Sequence, residues 1–411
     1  MDFHIPKTLT SLVLLGFASL FSCQEFLTSE PEENEVLDGP IDGLTNTQLL
    51  LFNDGDEAFS EVFTPESGLG PFFVSASCFS CHIGDGKGHP FTTLTRFGRW
   101  ENGNFDPLIH LGGGQLQNRA IPGFEAETIP KEATGIAQFT PPAVTGLGYL
   151  AAVTDATLLE LADPLDEDND GISGEVNYID PPNYFRPEDW HISNSEGRYI
   201  GRFGKKAAAV DLLHQTVNAY KEDIGVTSDF DLEDPINYNV SAQQIDPIND
   251  PEIAAATVQS VVFYLRTLKA PLPRNVSDNE VLLGKQLFME ISCGKCHLPT
   301  MMTGINDIDV LSDVEFHPYT DLLLHDMGAD LNDNYTEGNA EAAEWRTPPL
   351  WGLGLSPDAQ GGRYFLMHDG RAHSIEEAIL LHGGEASNSK TGYQALSDSE
   401  KQSLIAFLES L

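Results

Sequence analysis

Cysteine and basic side chains are scarce in this sequence. The 411 residues include 5 cysteines, and 22 Lys and Arg stand against 63 Asp and Glu, so the formal net charge is −41. Five cysteines are too few for a disulfide framework in a chain of this length. The acidic excess argues against a nucleic-acid partner, whose phosphates need a basic surface. It equally disfavours docking on anionic lipid through protein charge.

Long hydrophobic runs are also scarce, and the longest one lies at the amino terminus. Leu9–Phe21 is apolar but too short to span a bilayer, and it predicts a lipoprotein signal peptide over residues 1–22. The segment Leu20-Phe21-Ser22-Cys23 resembles the lipobox of bacterial lipoproteins, in which the cysteine carries the lipid; plain secretion with an incidental cysteine is the alternative. Residues 23–40 are acidic and are predicted to form a solvated tether. We therefore expect a location in the cell envelope, facing the periplasm or the outer-membrane surface, with membrane contact only through lipid on Cys23.

The other four cysteines form two copies of one pattern. Both copies read C-x-x-C-H: Cys78-Phe79-Ser80-Cys81-His82 and Cys293-Gly294-Lys295-Cys296-His297. Two thiols at this spacing can add to the two vinyl groups of one porphyrin, and the adjacent histidine then reaches the iron. The cysteine pairs of a zinc ribbon lie about 15–20 residues apart, whereas these lie 215 apart (293 − 78). The pattern predicts two covalently bound haem c groups with His82 and His297 as proximal iron ligands.

Similar helix signals flank both motifs and predict a mainly α fold. Gly55 and Phe59 precede the first motif, and Gly284 and Phe288 precede the second, each pair one helical turn apart. A small residue beside an aromatic one suits the close crossing of two helices in a cytochrome c core. A helix signal that starts at Asp250-Pro251 ends before a proline-containing linker near residue 273.

We therefore expect two cytochrome c-like haem domains with long loops. The amino-terminal domain would cover residues 41–273, with an insertion around 155–200, and the carboxy-terminal domain would cover 274–411.

Several longer segments resemble one known family. In the second half they are Tyr319–Gly328, Glu344–Gly354, Met367–Ala372 and His382–Ala386, and in the first half Gly112–Gln117, Ile121-Pro122-Gly123 and Gly201–Gly204. On these residues the chain, from about 50 to 411, resembles the di-haem oxidoreductases related to the bacterial di-haem cytochrome c peroxidases. The resemblance implies a redox enzyme with two haems in series.

The resemblance also suggests distal iron ligands. In the related peroxidases a ligand of the second haem lies about four helical turns beyond the H-D-G motif, and counting along this chain gives His382. Met367 and His368 are the alternatives at this site. For the first haem the candidates are His89, His110 and His214, or no protein ligand at all. An open position would let that iron bind peroxide or dioxygen.

Peroxide cleavage needs an acid–base group above the open iron. The related peroxidases use a Gln and a Glu, and the loosely comparable residues here are Gln215 with either Glu222 or Asp223. Lys205 stands where many relatives carry a tryptophan, which puts an aromatic electron relay between the haems in doubt.

Two further sets of charged residues are candidates for binding. Haem propionates favour arginine partners, and the second half offers Arg346, Arg363 and Arg371. The stretch 166–175 has carboxylates at alternate positions before a turn glycine, as in half of an EF-hand loop: Asp166, Asp168 and Asp170. The twelfth position is Asn177 rather than Glu, so calcium binding and a solvated turn both stay open.

The leading expectation for function is a lipid-anchored, peroxidase-like di-haem oxidoreductase. The second haem would accept electrons from a donor protein, such as a basic cytochrome, and the first would reduce a small oxidant such as hydrogen peroxide. A di-haem electron-transfer cytochrome without peroxidase activity is one alternative. An oxygenase, or an enzyme that oxidises side chains of another protein, is the other.

Overall fold

The computed structural model describes residues 37–240 and 248–411, and residues 37–411 group into one compact unit. The predicted signal peptide, Cys23 and most of the acidic tether lie outside the described residues. Within the described ranges, none of the helices is long and apolar enough to cross a membrane.

Helices and short strands alternate along the chain. In the described residues the helices are α1 (Asn46–Ser60), α2 (Cys78–Cys81), α3 (Leu147–Ala151), α4 (Asp155–Leu161), α5 (Leu212–Asn218), α6 (Ala255–Thr267), α7 (Asn279–Glu290), α8 (Ser356–Ala359), α9 (Ile375–Leu381), α10 (Ser387–Ala395) and α11 (Asp398–Ser410). The strands are β1 (Phe72–Phe73), β2 (Leu94–Glu101), β3 (Asn104–Asp106), β4 (Gly114–Gln115), β5 (Arg119–Ala120), β6 (Gly135–Phe139), β7 (Asn177–Ile179), β8 (Tyr199–Gly201), β9 (Met301–Met302), β10 (Glu315–Phe316), β11 (Leu324–Asp326) and β12 (Glu344–Arg346). Helical residues outnumber strand residues in the described ranges, as the sequence analysis predicted, whereas the division into two cytochrome c-like domains at residue 273 stays a prediction.

The strands form small antiparallel sheets that the sequence analysis did not predict. The largest has β2 at its centre, paired with β3, β4 and β6, and the others are the pairs β1–β5, β7–β8, β9–β10 and β11–β12. Most of these strands have two or three residues, so they lack the run of alternating apolar residues that identifies a strand in a sequence.

Two helix pairs cross at the glycines that the sequence analysis identified. A Cβ atom at Gly55 of α1 would lie 2.6 Å from the Cβ of Tyr264 on α6. A Cβ atom at Gly284 of α7 would lie 2.6 Å from the Cβ of Phe407 on α11. No real Cβ contact is that short, so glycine is required at both crossings, and the prediction of two close helix crossings is confirmed.

The helix ends follow the sequence only in part. Ser397 and Glu400 form the capping box that begins α11. By contrast, α6 begins at Ala255 rather than at Asp250, and the carboxylate of Asp229 accepts a hydrogen bond from the Ala255 amide at 2.7 Å. A side chain from a distant segment therefore caps this helix, which no local pattern could indicate.

Candidate haem-binding site

One cavity of about 920 Å³ is lined by the cysteines and histidines of both C-x-x-C-H motifs. Small-molecule sites have volumes of about 300–1,000 Å³, so this cavity lies near the top of that range. Among the described residues, no group of metal-ligating side chains within reach of one ion contains two of these cysteines. Because the cysteines do not come together around one point, a shared zinc site is disfavoured. The common cavity instead suits two groups of porphyrin size.

The first motif forms the short helix α2 and the residue after it. Ser77 caps this helix by accepting a hydrogen bond from the Ser80 amide at 3.1 Å. The Nδ1 of His82 donates to the carbonyl oxygen of Pro142 at 2.8 Å, and burial lowers the pKa of His82 to about 4. The imidazole is therefore neutral, and its Nε2 is left with a lone pair to offer a metal.

The second motif faces His382 across the cavity. The Nδ1 of His297 donates to the Tyr319 carbonyl at 3.0 Å, and the Nδ1 of His382 donates to the Ala378 carbonyl at 2.7 Å. The two ring centroids are 6.5 Å apart. Two metal–nitrogen bonds of about 2 Å and two ring radii of about 1 Å add up to about 6 Å, so one iron fits between these rings. The His297–His382 ligand pair stays a prediction, and the geometry favours it.

The alternatives to His382 are arranged differently. The Nε2 of His368 lies 2.8 Å from a carboxylate oxygen of Asp333, and its ring stacks on Trp345 with centroids 3.7 Å apart. These contacts occupy His368 as a packed, hydrogen-bonded group. Met367 lines the cavity, and its backbone has a positive φ of 66°, which is uncommon for a residue other than glycine.

The three histidines considered for the first haem lie in different surroundings. His89 caps a short turn, with its Nδ1 accepting from the Phe91 amide at 3.1 Å, and it does not line the cavity. His110 is exposed and also lies off the cavity. Only His214 lines the cavity. The aromatic ring packed against His82 is that of Phe59, at 6.1 Å, and among the described residues no imidazole faces His82 as His382 faces His297.

The acid–base candidates separate into two groups. Gln215, on α5, and Asp223, in the π-helical turn Ala219–Ile224, both line the cavity. Glu222 does not line it and instead forms an ion pair with Arg96 at 2.9 Å. Of the two acids that the sequence analysis left open, Asp223 is thus the one that the structure brings to the cavity.

The carboxyl group of Asp223 is buried, and a hydrogen bond fixes its orientation. The side-chain amide of Gln115 donates to its Oδ1 at 2.5 Å. Burial raises the pKa of Asp223 to about 6, although Gln115 and Arg96 oppose the shift. A carboxyl group with this pKa can release and take up a proton near neutral pH.

Of the basic side chains that line the cavity, Lys87, Lys205, Arg346 and Lys390 form no ion pair among the described residues. Lys205 lies close enough to Lys87 and Arg346 to be repelled by both, and these three form a cationic trio. Burial, together with repulsion from the other two cations, lowers the pKa of Lys205 well below its usual value, and burial lowers that of Lys87 to about 8. Within residues 37–240 and 248–411, the hydrogen bonds of the Arg346 guanidinium go to backbone oxygens, such as that of Gly204 at 2.9 Å.

This cationic trio fits the carboxylates of a porphyrin. Burying unpaired charges costs several kcal/mol per ion, so such a cluster calls for an anionic group. The structure brings only Arg346, of the three arginines considered, to the cavity, because Arg363 is exposed and Arg371 pairs with Asp369 at 2.7 Å. Lys87 and Lys205 were not predicted, since isolated lysines in loops carry no pattern.

The acidic loop differs from the predicted calcium site. The carboxylates of Asp163, Asp166 and Asp168 lie within 4.8 Å of one another. Asp170, the third predicted ligand, instead pairs with Lys295 of the second motif at 2.7 Å. Asp163 falls outside the alternating pattern, so the sequence did not indicate it.

Comparison with known proteins gives one family and a number of solved structures. The solved structures include hydrazine synthase of Kuenenia stuttgartiensis (15% identity, TM-score 0.37, 94% of this chain and 96% of that chain covered) and a MauG-like protein associated with microbial copper homeostasis (16% identity, TM-score 0.38, 94% and 95% covered). No curated protein matches the chain.

The family comparison covers most of the cavity lining. A profile described as "Di-haem oxidoreductase, putative peroxidase" matches residues 133–411. The matched range contains the second C-x-x-C-H motif, His382, Gln215 and Asp223. The profile matches more than half of the chain, and both C-x-x-C-H motifs line one cavity. The chain therefore belongs to the di-haem oxidoreductase family.

Proposed function

We propose that this protein is a c-type di-haem oxidoreductase that reduces hydrogen peroxide at the first haem site with electrons received at the second. The observation that carries the proposal is the asymmetry of the two histidines. His297 faces a second imidazole, His382, at a ring-centroid distance of 6.5 Å, an arrangement that suits electron transfer. His82 faces no such ring among the described residues, which leaves room for a small oxidant.

The chain's own residues supply the proton chemistry. Haem iron with an open coordination position supplies the redox chemistry of peroxide cleavage. Asp223 can hold a proton and deliver it to the leaving oxygen, while Gln115 fixes the direction of the carboxyl group. Gln215, on the same cavity, offers an amide that can orient the bound oxidant.

Covalent attachment of both haems is part of the proposal. The thiols of Cys78, Cys81, Cys293 and Cys296 all line the cavity and form no disulfide. Addition of each thiol across a vinyl group joins sulfur to carbon and transfers the thiol hydrogen to the neighbouring carbon, so no oxidant is consumed. Covalent c-type attachment is supported by this arrangement and is tested by the mass of the purified protein.

We further propose that the mature protein is exported and anchored through lipid on Cys23. The support is the sequence alone: an apolar segment that ends at Leu20-Phe21-Ser22-Cys23, followed by an acidic tether. A net charge of −41 also favours a basic electron-donor protein. Turnover that does not change between low and high ionic strength would argue against such a donor.

The experiment is a steady-state assay of the holoprotein with reduced cytochrome c and hydrogen peroxide. We expect Asp223→Asn to lower kcat by about 10²–10⁴-fold, the range of a lost acid–base group. Glu222→Gln removes the charge of the neighbouring carboxylate, which forms an ion pair with Arg96. This variant should lower kcat by less than about tenfold. Absence of turnover by the wild type in either redox form would overturn the proposal.

A second candidate is a di-haem electron-transfer protein with both irons saturated. The observation that favours it is the position of His214 on the same cavity as His82. In that case both ferric haems would give low-spin EPR signals, and the reduced protein would bind neither cyanide nor carbon monoxide. A high-spin signal from one ferric haem would favour the peroxidase-like function.

A further inference from the structure

A buried cluster of three charged side chains lies beside the second haem motif. Both ring nitrogens of His325 contact carboxylates: Nε2 lies 2.8 Å from Asp321 Oδ2, and Nδ1 lies 2.6 Å from Glu385 Oε2. Only 3% of the surface of His325 and 3% of that of Asp321 are exposed. None of these three residues was assigned a role by the sequence analysis.

The charges within this cluster follow from its contacts. Burial opposes a charge on His325, but hydrogen bonds with Asp321, Cys296 and Glu385 raise its pKa to about 12. The same imidazolium and the hydroxyl of Ser173 help to hold the pKa of Glu385 below its usual value, against the effect of burial. One cation and two anions therefore share the site, so it carries a net charge of −1.

The cluster touches the residue that would bear a thioether. The Sγ of Cys296 lies 3.6 Å from the Nδ1 of His325, and both residues line the cavity. The neighbouring residue in the chain is His297, the predicted proximal ligand. Buried charges beside this attachment site are screened little by solvent, so they would act on the charge of a haem bound there.

Residues 173–175, which are distant in the chain, also contact the cluster. The hydroxyl of Ser173 donates to Glu385 Oε1 at 2.5 Å, and Glu175 and Leu324 form a backbone bridge next to His325. The carboxylate of Glu385 is thus oriented from one side by Ser173 and from the other by His325. This double contact fixes the negative charge in place, as a positioning group requires.

We propose that Asp321, His325 and Glu385 act as a charge-setting unit that lowers the reduction potential of the second haem relative to the first. The inference rests on the proposed function, because it assumes a haem attached at Cys293 and Cys296. Adding an electron to the iron is disfavoured by a neighbouring net negative charge. A lower potential makes the second haem the stronger reductant, which suits passage of electrons toward the first site.

The test is a spectroelectrochemical titration of both haems in the holoprotein. Glu385→Gln keeps the shape of the side chain and removes one negative charge, so the potential of the second haem should rise while that of the first stays unchanged. Asp321→Asn should produce the same selective rise. Glu280→Gln, which removes a carboxylate from the exposed start of α7, is the matched control and should shift neither potential.

The outcomes separate the inference from the proposed function. Two haems by mass and by pyridine haemochrome, with no selective shift in either variant, would overturn the inference alone. Equal shifts of both haems would also overturn it, since the cluster would then act only as general protein charge. A wild type that carries fewer than two haems would instead overturn the proposed function. If Glu385→Gln fails to fold, Asp321→Asn decides the question.

Discussion

Asp85, three residues after His82, is a buried carboxylate in a position that suits asparagine. Only 5% of its surface is exposed, and its φ is +57°, a region in which Asn is among the best tolerated residues. The hydroxyl of Tyr264 donates to its Oδ1 at 2.7 Å. Because an amide oxygen can accept the same hydrogen bond, Asp85→Asn removes the charge and keeps this contact.

The size of the effect follows from the pKa. Burial raises the pKa of Asp85 from 3.8 to about 6, with Asp56 and Asp38 adding to the shift and Tyr264 opposing it. A difference of about 2 units, at about 1.4 kcal/mol each, corresponds to about 3 kcal/mol. The folded state binds the proton more tightly, so the penalty is fully present above pH 6, decreases as the pH falls, and is absent below about 3.8.

We therefore expect Asp85→Asn to stabilise the protein by about 1–3 kcal/mol at pH 7.5, with the gap from wild type closing near pH 4. The measurement is denaturant unfolding of the holoprotein followed by circular dichroism at both pH values. Asp54→Asn, at an exposed position on α1, is the control and should change the stability by less than about 0.5 kcal/mol. A variant less stable than wild type at pH 7.5, or a gap that is equal at both pH values, would refute the reasoning.

Three further predictions concern other parts of the structure. His382→Ala should convert the second ferric haem from a low-spin to a high-spin EPR signal, and an unchanged spectrum would exclude His382 as its ligand. Gly284→Ala should destabilise the protein by about 1–3 kcal/mol because the helix crossing leaves no room for a Cβ, whereas Lys285→Ala, one residue on and exposed, should cost less than about 0.5 kcal/mol. Arg202→Met leaves the fully buried carboxylate of Asp155 without its ion-pair partner and should cost about 3–5 kcal/mol in denaturant unfolding; a loss below about 1 kcal/mol would contradict this.

The features that the sequence predicts well are those encoded within a few residues. The two C-x-x-C-H motifs and the glycines at the helix crossings depend on spacing along the chain. A backbone that must approach another closely excludes every side chain larger than hydrogen, so Gly55 and Gly284 identify their crossings without any knowledge of the partner helix.

The features that the sequence does not predict depend on residues from distant segments. Lys87 and Lys205 join Arg346 at one cavity only after folding, and nothing in the local sequence of the two lysines distinguishes them from surface cations. The choice of Asp223 over Glu222 depends on which side chain of a π-helical turn points inward. Neighbouring carboxylates look equivalent until the partner of one of them, here Arg96, is known.

The loop that carries the acidic residues contributes to the second half of the chain. Asp170 pairs with Lys295 inside the second motif, and Ser173 donates to Glu385. The carboxy-terminal portion on its own would therefore lack groups that complete its haem site. During synthesis, Lys295 follows Asp170 by 125 residues and Glu385 follows Ser173 by 212 residues, so the two halves can finish maturing only together.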